Sequence, residues 1–278
     1  MEVYRTPSGL AATQRILKRH YMSKRSMEME FDTRVDLFRK RIKDSEDFKV
    51  QENVFDTHTL MNLYSLASKG IIDFLGGSIS TGKEANVFYA FGSGKDLALK
   101  IYRISTSNFK AMQNYLEGDP RFGRIKGSKR SIVSAWAKKE FRNLKRSEEF
   151  GVLVPHPISV RDNILVMELV GSKDRPAPTL KDVKLDLQEA KRVLTAITAD
   201  IARLFNQAKL VHADLSEFNI LYDGEPVIID MGQSVTLDHP MARKFIERDV
   251  ENIVKYFQKN YRIGSADAIW SNLTVFRR

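Results

Sequence analysis

The stretch His212–Gly232, HADLSEFNILYDGEPVIIDMG, decides how the chain is read. Two acids and an amide within it, Asp214, Asn219 and Asp230, fall at spacings that suit one divalent metal. The apolar run Asn219–Tyr222, the turn Asp223-Gly224-Glu225-Pro226 and the run Val227–Asp230 read as a β-hairpin. A loop of four residues sets Tyr222 opposite Val227 and Asn219 opposite Asp230. Opposed residues hold their Cβ atoms roughly 5 Å apart, so an amide oxygen and a carboxylate would grip the same Mg2+. Asp214 then stands just outside as a separate carboxylate. A tighter Asp-Gly turn is the alternative, disfavoured because it carries Pro226 into the second strand, where proline cannot donate a ladder hydrogen bond.

Working outward, Leu187, Ala190, Leu194, Ile197, Ile201, Leu204 and Ala208 recur at helical spacing and predict a long buried helix that delivers the chain to His212. Ile246, Val250, Ile253 and Phe257 mark a helix on the other side, with only Gln233–Pro240 between it and Gly232.

Upstream, Asp56 or Thr57 can cap a helix bearing Leu60, Leu63, Tyr64 and Ala67, which Gly70 ends. Ile71–Phe91 read as two strands around a polar loop, Ser80-Thr81-Gly82-Lys83-Glu84. Gly77–Lys83 matches the phosphate-loop pattern GxxxxGK, but Glu84 replaces the Ser or Thr that would hold Mg2+, and a strand rather than a helix follows. The loop is either a turn laid over a nucleotide, with Lys83 near phosphate oxygens, or a plain hairpin turn.

Leu97–Tyr102 is a strand with Ala98, Lys100 and Tyr102 on one face. A lysine buried there wants an anion, unless it snorkels to solvent from an edge. Ile104–Arg130, with four glycines or prolines and little apolar periodicity, reads as a long mobile basic loop. A helix follows over Ser131–Phe150, in which Glu140 lies one turn from both Trp136 and Leu144 and so on the packed face. Its partner is Lys100, or else it is a surface glutamate paired with Lys139 or Arg142. Pro155–Val160 and Ile164–Val170 read as strands, and Met167-Glu168-Leu169-Val170-Gly171 suits either a hinge between lobes or a Pro-rich linker.

The composition is that of an ordinary globular protein, with 278 residues, enough for a bilobal domain, and no cysteine, which excludes disulfides and thiolate metal sites. No apolar run approaches the roughly 20 residues of a membrane span, and the first residues lack a signal-peptide core, so a cytoplasmic protein without membrane contact is expected. The net charge of +10 is concentrated in Lys100–Arg146, which holds thirteen Lys or Arg against Glu117, Asp119 and Glu140. That block suits a polyanion, nucleotide phosphates or RNA, or is a solvated helix face beside a basic loop. Residues Met1–Asn53, rich in both charge signs, predict one or two amphipathic helices.

Five features agree in order: a Gly-containing loop, an Ala-x-Lys strand, a helical Glu, a linker after an apolar strand, and Asp-x4-Asn followed by Asp-x-Gly. Together they resemble a protein-kinase-like fold. The wording Ile79–Val87, His212–Ser216 and Ile229–Gly232 is similar to the first subfamily of the RIO atypical kinases, over about Asp56–Phe257. The resemblance implies a bilobal α+β fold, with an N-lobe antiparallel sheet plus helix at 71–170 and a reduced, mainly helical C-lobe at 171–278. Extra N-terminal helices occupy 1–70.

It also implies roles. Asp214 is the catalytic carboxylate, and Asn219 and Asp230 hold Mg2+, with Mn2+ an alternative. Lys100, fixed by Glu140, holds the α- and β-phosphates of ATP. The backbone of Glu168 and Val170 meets adenine, Val87 and Ala98 pack on its ring, and Ser80 and Lys83 line the phosphate end. Asp230 is in addition a candidate aspartyl-phosphate. The implied activity is serine/threonine phosphorylation, autophosphorylation and ATP hydrolysis, acting on a pre-40S or 30S-type ribosomal particle and its RNA in small-subunit maturation. An RNA-binding switch and a small-molecule phosphotransferase are the alternatives.

Departures from ordinary protein kinases narrow the reading. Ala213 stands where those have Arg, Ser216 replaces a lysine, Gln233–Pro240 leaves no room for an activation segment, and the short stretch after Phe257 gives the expectation that peptide-docking subdomains are missing.

Overall fold

Asp56 caps the first described helix, α1 (Thr57–Ser68), its Oδ1 accepting the Thr59 N–H at 2.8 Å. The structure, a computed structural model, describes residues 55–105, 107–117, 119, 121 and 128–273. The helices expected within Met1–Asn53 lie outside them. The described residues belong to one compact unit, Lys49–Arg278. The buried face of α1 is Thr59, Leu63 and Leu66, turned slightly from the expected stripe.

Strands β1 (Phe74–Thr81), β2 (Ala85–Gly92) and β3 (Lys95–Tyr102) form a meander, joined by β4 (Pro157–Arg161) and β5 (Ile164–Glu168) in the antiparallel order β1-β2-β3-β5-β4. Successive strand residues face opposite sides, and every residue from Leu97 to Tyr102 is buried, so this central strand is covered on both faces. Lys100 is therefore not at an edge: it pairs in register with Val87 on one side and Leu165 on the other.

The expected loop 104–130 is corrected over helix α2 (Phe109–Glu117), which Asn108 starts by accepting the Ala111 N–H at 3.2 Å. Met112 and Leu116, one turn apart, are buried with Tyr102, Ile132 and Trp136, and Phe109 packs beside them. That apolar stripe is only two turns long and is followed at once by Gly118 and Pro120, which masked its periodicity. The remaining residues of that loop at 106, 118, 120 and 122–127 lie outside the described ones. Helix α3 (Lys129–Glu149) follows, its first turn capped by Ser128, and buries Trp136 and Leu144 as expected, together with Ile132 and Val133.

After β5 the chain forms a small ladder, β6 (Gly171–Ser172) with β7 (Arg175–Pro176), instead of a plain linker. Helix α4 (Leu187–Asn206) carries the main apolar face of the large lobe, where Val193 and Phe205 join the predicted Ala190, Ile197, Ile201 and Leu204, while Leu187 is exposed. Strand β8 (Leu210–Val211) then leads into the site. The hairpin is present as β9 (Ile220–Tyr222) and β10 (Pro226–Ile228), but its register differs from expectation by one residue: Tyr222 faces Pro226, Leu221 faces Val227, and the Ile229 N–H donates to Asn219 O at 3.0 Å. Asn219 is thus level with Ile229, and Asp230 follows. The physical reason is that Pro226 takes the first position of its strand, where a missing N–H is tolerated, and Gly224 at φ +77° closes a shorter turn.

Strand β11 (Val235–Thr236) pairs with β8, Val235 against Val211, closing the two ends of the stretch on each other. Helices α5 (Ala242–Tyr261) and α6 (Ala266–Trp270) complete the described chain. The core of the large lobe, from α4 and α5, is continuous with Ala98, Leu144, Leu165 and Met167 of the small lobe. No helix among the described residues is long and apolar enough to cross a membrane.

Candidate active site

Strand β3 and helix α3 present Lys100 and Glu140 to one another because each lies on the buried face of its element. Lys100 Nζ donates to Glu140 Oε1 and to Asp230 Oδ1, both at 2.8 Å. Burial disfavours the Lys100 ammonium, yet Asp230 and Glu140 outweigh it and hold its pKa above the ordinary lysine value. Glu140 is 1% exposed, and burial pushes its carboxyl up to about 7 against the pull of Lys100, with Asp230 adding to the rise. The lysine stays charged because it serves two anions, whereas the glutamate has surrendered its water to one cation. Asp230 is held below the usual carboxylate range: burial opposes this, and the Lys100 charge overcomes it. The Asp230 side chain is 46% exposed, so it opens on the cleft.

That cleft, about 1120 Å3, is lined by Ser80, Lys83, Val87, Ala98, Lys100, Glu140, Glu168, Val170, Asn219 and Asp230. Ten of the eleven expected residues are thus brought together. Ala98 is buried opposite Met167, whereas Ser80 and Lys83 stand exposed at the rim beside the tight turn at Gly82, whose N–H donates to Ala85 O. Asp214, the eleventh, does not line the cleft and is joined to it by Asn219, whose Nδ2 donates to Asp214 O at 2.7 Å and to its Oδ2 at 3.2 Å. Gln233 Nε2 reaches the same Oδ2 at 3.2 Å. Burial raises the Asp214 carboxyl above the usual range, with the Asp230 charge adding to it and nearby cations opposing.

The loop that carries Asp214 is fixed from below. Asp249 on α5, 1% exposed, accepts the Ala213 N–H at 2.8 Å and the Leu215 N–H at 2.9 Å. Arg248 donates to Ala213 O. His212 accepts the Asp214 N–H on Nδ1 at 3.2 Å and meets Ile229 O through Nε2 at 2.9 Å, an arrangement that puts its hydrogen on Nε2. Ala213 and Asp230 both adopt left-handed backbone, φ 67° and 62°, which costs a non-glycine residue about 1–2 kcal/mol and persists only where surroundings enforce it.

The chain matches the RIO domain over residues 86–268. It is 46% identical over 245 residues to the RIO-type serine/threonine-protein kinase Rio1 of Haloferax volcanii, covering 87% of this chain and 83% of that one. The chain belongs to the RIO family. It falls in the Rio1 branch of these serine/threonine kinases, being 41% identical to the Rio1 protein of Methanocaldococcus jannaschii, with 85% and 81% covered. The human serine/threonine-protein kinase RIO1 is 43% identical over 79% of this chain, which spans 39% of the human protein. A crystal structure of a Rio2 kinase-ADP/Mg2+-phosphoaspartate complex from Chaetomium thermophilum is similar at TM-score 0.60 and 26% identity, covering 77% of this chain and 66% of that one.

Sequence reasoning missed several residues of this RIO site. Met167, Leu221 and Ile229 line the cleft as apolar walls, which a hydrophobic run does not distinguish from core. Glu84, set aside as a failed phosphate-loop position, lies near enough to Asp230 and Asp214 that their charges, after burial, raise its carboxyl. Asp249 carried a signal: an acid inside the apolar stripe of Ile246, Val250 and Ile253. Lys139 is a correction. The alternative in which it pairs with Glu140 at the surface fails, since Lys139 is fully buried and turned toward Gly232.

Proposed function

We propose that this RIO kinase transfers the γ-phosphoryl group of Mg2+-ATP to a serine or threonine hydroxyl, including its own, and to water, in maturation of the small ribosomal subunit in the cytoplasm. The single observation that carries the reading is Lys100 held between Glu140 and Asp230 at 2.8 Å in a cleft of nucleotide size. Lys100 would bind the α- and β-phosphates. Val87 and Ala98 would pack on adenine. The Glu168 N–H is taken by His156 O and the Val170 carbonyl by the Ala177 N–H, so adenine would meet the Glu168 carbonyl and the Val170 N–H. Ser80 and Lys83 would attend the phosphate end.

The donor set fits a hard cation. Asn219 commits its amide nitrogen to Asp214, which leaves its oxygen as a ligand, and Asp230 offers Oδ2 beside the Oδ1 held by Lys100. Mg2+, or Mn2+, would supply charge neutralisation of the phosphates when bound. Asp214, with its raised carboxyl, would orient the acceptor hydroxyl or water and take its proton. Asp230 is also a candidate phosphate acceptor, in line with the phosphoaspartate of the Rio2 complex. We keep the division into an extension at 1–70 and lobes at 71–170 and 171–278.

The experiment is phosphate release and label incorporation from radiolabelled ATP with Mg2+, comparing the protein with Asp214→Ala. Loss of both activities in the variant is expected. A parent that shows neither, or a variant that equals it, overturns the reading.

The second reading, an RNA-bound switch, loses part of its basis. Within Lys100–Arg146, Arg121 pairs with Asp119, Arg130 with Asp56 and Asp162, and Lys100 and Lys139 are buried. A pre-40S or 30S-type particle remains the proposed partner through the Rio1 branch rather than through net charge.

A further inference from the structure

Helix α3 carries, besides Glu140, a second set of groups whose targets all lie just after Asp230. Lys139 Nζ donates to Gly232 O at 2.8 Å and to Ser234 O at 2.5 Å. Asn143 Nδ2 donates to Met231 O at 2.8 Å and to Ser234 O at 3.1 Å. Trp136 closes against Gly232 so tightly that a Cβ there would come 2.9 Å from its Nε1. Positions 136, 139, 140 and 143 share one face of the helix.

Lys139 is the unusual member. It is fully buried, and no carboxylate among the described residues lies within ion-pair distance. Its ammonium meets two carbonyl oxygens and the rings of Trp136 at 5.3 Å and Tyr115 at 5.9 Å. A buried cation with no carboxylate in contact is costly, the Asp119 charge offsetting only part of the burial penalty, and here it sits where it gathers the carbonyls of the segment that must hold Asp230 at φ 62°.

We propose that Lys139 and Asn143 are positioning residues that tie the Met231–Ser234 segment to helix α3, so that Glu140 and Asp230 are set as one body. The inference rests on the reading of Asp230 as a metal ligand. Elsewhere among protein kinases the Lys–Glu pair and the metal aspartate must be brought into place together. In this chain one helix face does both: Glu140 reaches Lys100, and its neighbours at positions 139 and 143 clamp the backbone beyond Asp230. A helix displaced outward would lose the Lys100 contact and release the metal segment in one motion.

The test compares the full chain with Lys139→Met, Asn143→Leu and, as a core control on the same helix, Val133→Ala, a buried residue whose apolar side chain can donate no hydrogen bond to these carbonyls. Two readouts are used: amide hydrogen exchange of Met231–Val235 in metal-free protein, and the Mg2+ concentration that half-saturates ATP hydrolysis. Both clamp variants are expected to exchange those amides at least tenfold faster and to need at least tenfold more Mg2+. ADP affinity without metal should stay within twofold, and Val133→Ala should melt earlier with neither change. The proposal is overturned if Asn143→Leu, folded by circular dichroism, keeps parental exchange and Mg2+ dependence, or if Val133→Ala reproduces both effects. A parent with no ATP hydrolysis defeats the proposed function instead, and the exchange measurement still judges the clamp.

Discussion

Replacing Asp249 by asparagine removes one acceptor from beneath the loop that holds Asp214. The carboxylate now accepts two backbone N–H groups, from Ala213 and Leu215, at 2.8 and 2.9 Å. An amide keeps one oxygen for that work and turns an NH2 toward the other donor. One buried N–H is then unsatisfied, a loss of about 1–3 kcal/mol. For a chain of this size each kcal/mol lowers the melting temperature by about 2–4 °C, so a fall of about 2–12 °C is expected. A functional effect of similar size is expected beside the stability effect, because Ala213 at φ 67° is free to relax toward ordinary backbone once its tether weakens. A displacement of Asp214 by about 1 Å would slow turnover about 100-fold. Asp249 does not line the cleft, so ATP affinity should stay within twofold. Thermal melts, nucleotide titration and steady-state phosphate release together test this. Parental kcat in an Asp249→Asn protein that melts early would refute the argument that Asp249 acts through the position of Asp214.

Lys100→Met should destabilise the fold more than the double change Lys100→Met/Glu140→Leu, because the single change leaves a buried carboxylate unpaired at about 3–5 kcal/mol; urea denaturation giving the reverse order would defeat the pairing argument. Burial depresses the Lys139 pKa to about 7, against about 10.4 in the unfolded chain, so between those values the unfolded state binds the extra proton and stability rises with pH, by at most ~1.4 kcal/mol per unit. The stability of the parent minus that of Lys139→Met should therefore rise from pH 7 to pH 9 and stay level well below pH 7; a constant difference across that range contradicts it. Met112→Ala should cost about 2–5 kcal/mol by urea denaturation, as a buried residue of α2 and not of a loose loop, and a change under 0.5 kcal/mol would remove α2 from the core.

Much of the site was legible because its members sit on elements with clear local patterns. Lys100 interrupts an apolar strand, Glu140 interrupts an apolar helix stripe, and Asn219 and Asp230 flank a turn-marked hairpin. Asn219 and Asp230 both reach the cleft even though the expected register was off by one, since Pro226 was placed in the loop when an initial strand position accepts it. Helix α2 was missed because its stripe is two turns long and runs straight into Gly118 and Pro120. The alternative role for Lys139 stayed open in the sequence because a lysine beside a packed-face glutamate looks like a surface partner until the carbonyls of Gly232 and Ser234, more than 90 residues on, are brought against it.

By itself, then, the sequence determined the order of the long strands and helices other than α2, the absence of thiol chemistry and the identity of the Lys, Glu, Asn and Asp that meet in the cleft, because these follow from composition, periodicity and turn chemistry over a few residues. Only the tertiary structure decided that Asp230 sits one residue beyond the hairpin ladder in left-handed backbone, that Asp249 carries the Asp214 loop and that Lys139 points inward. Those facts depend on which distant carbonyls and N–H groups a buried charge finds when the lobes pack, and no local pattern encodes that.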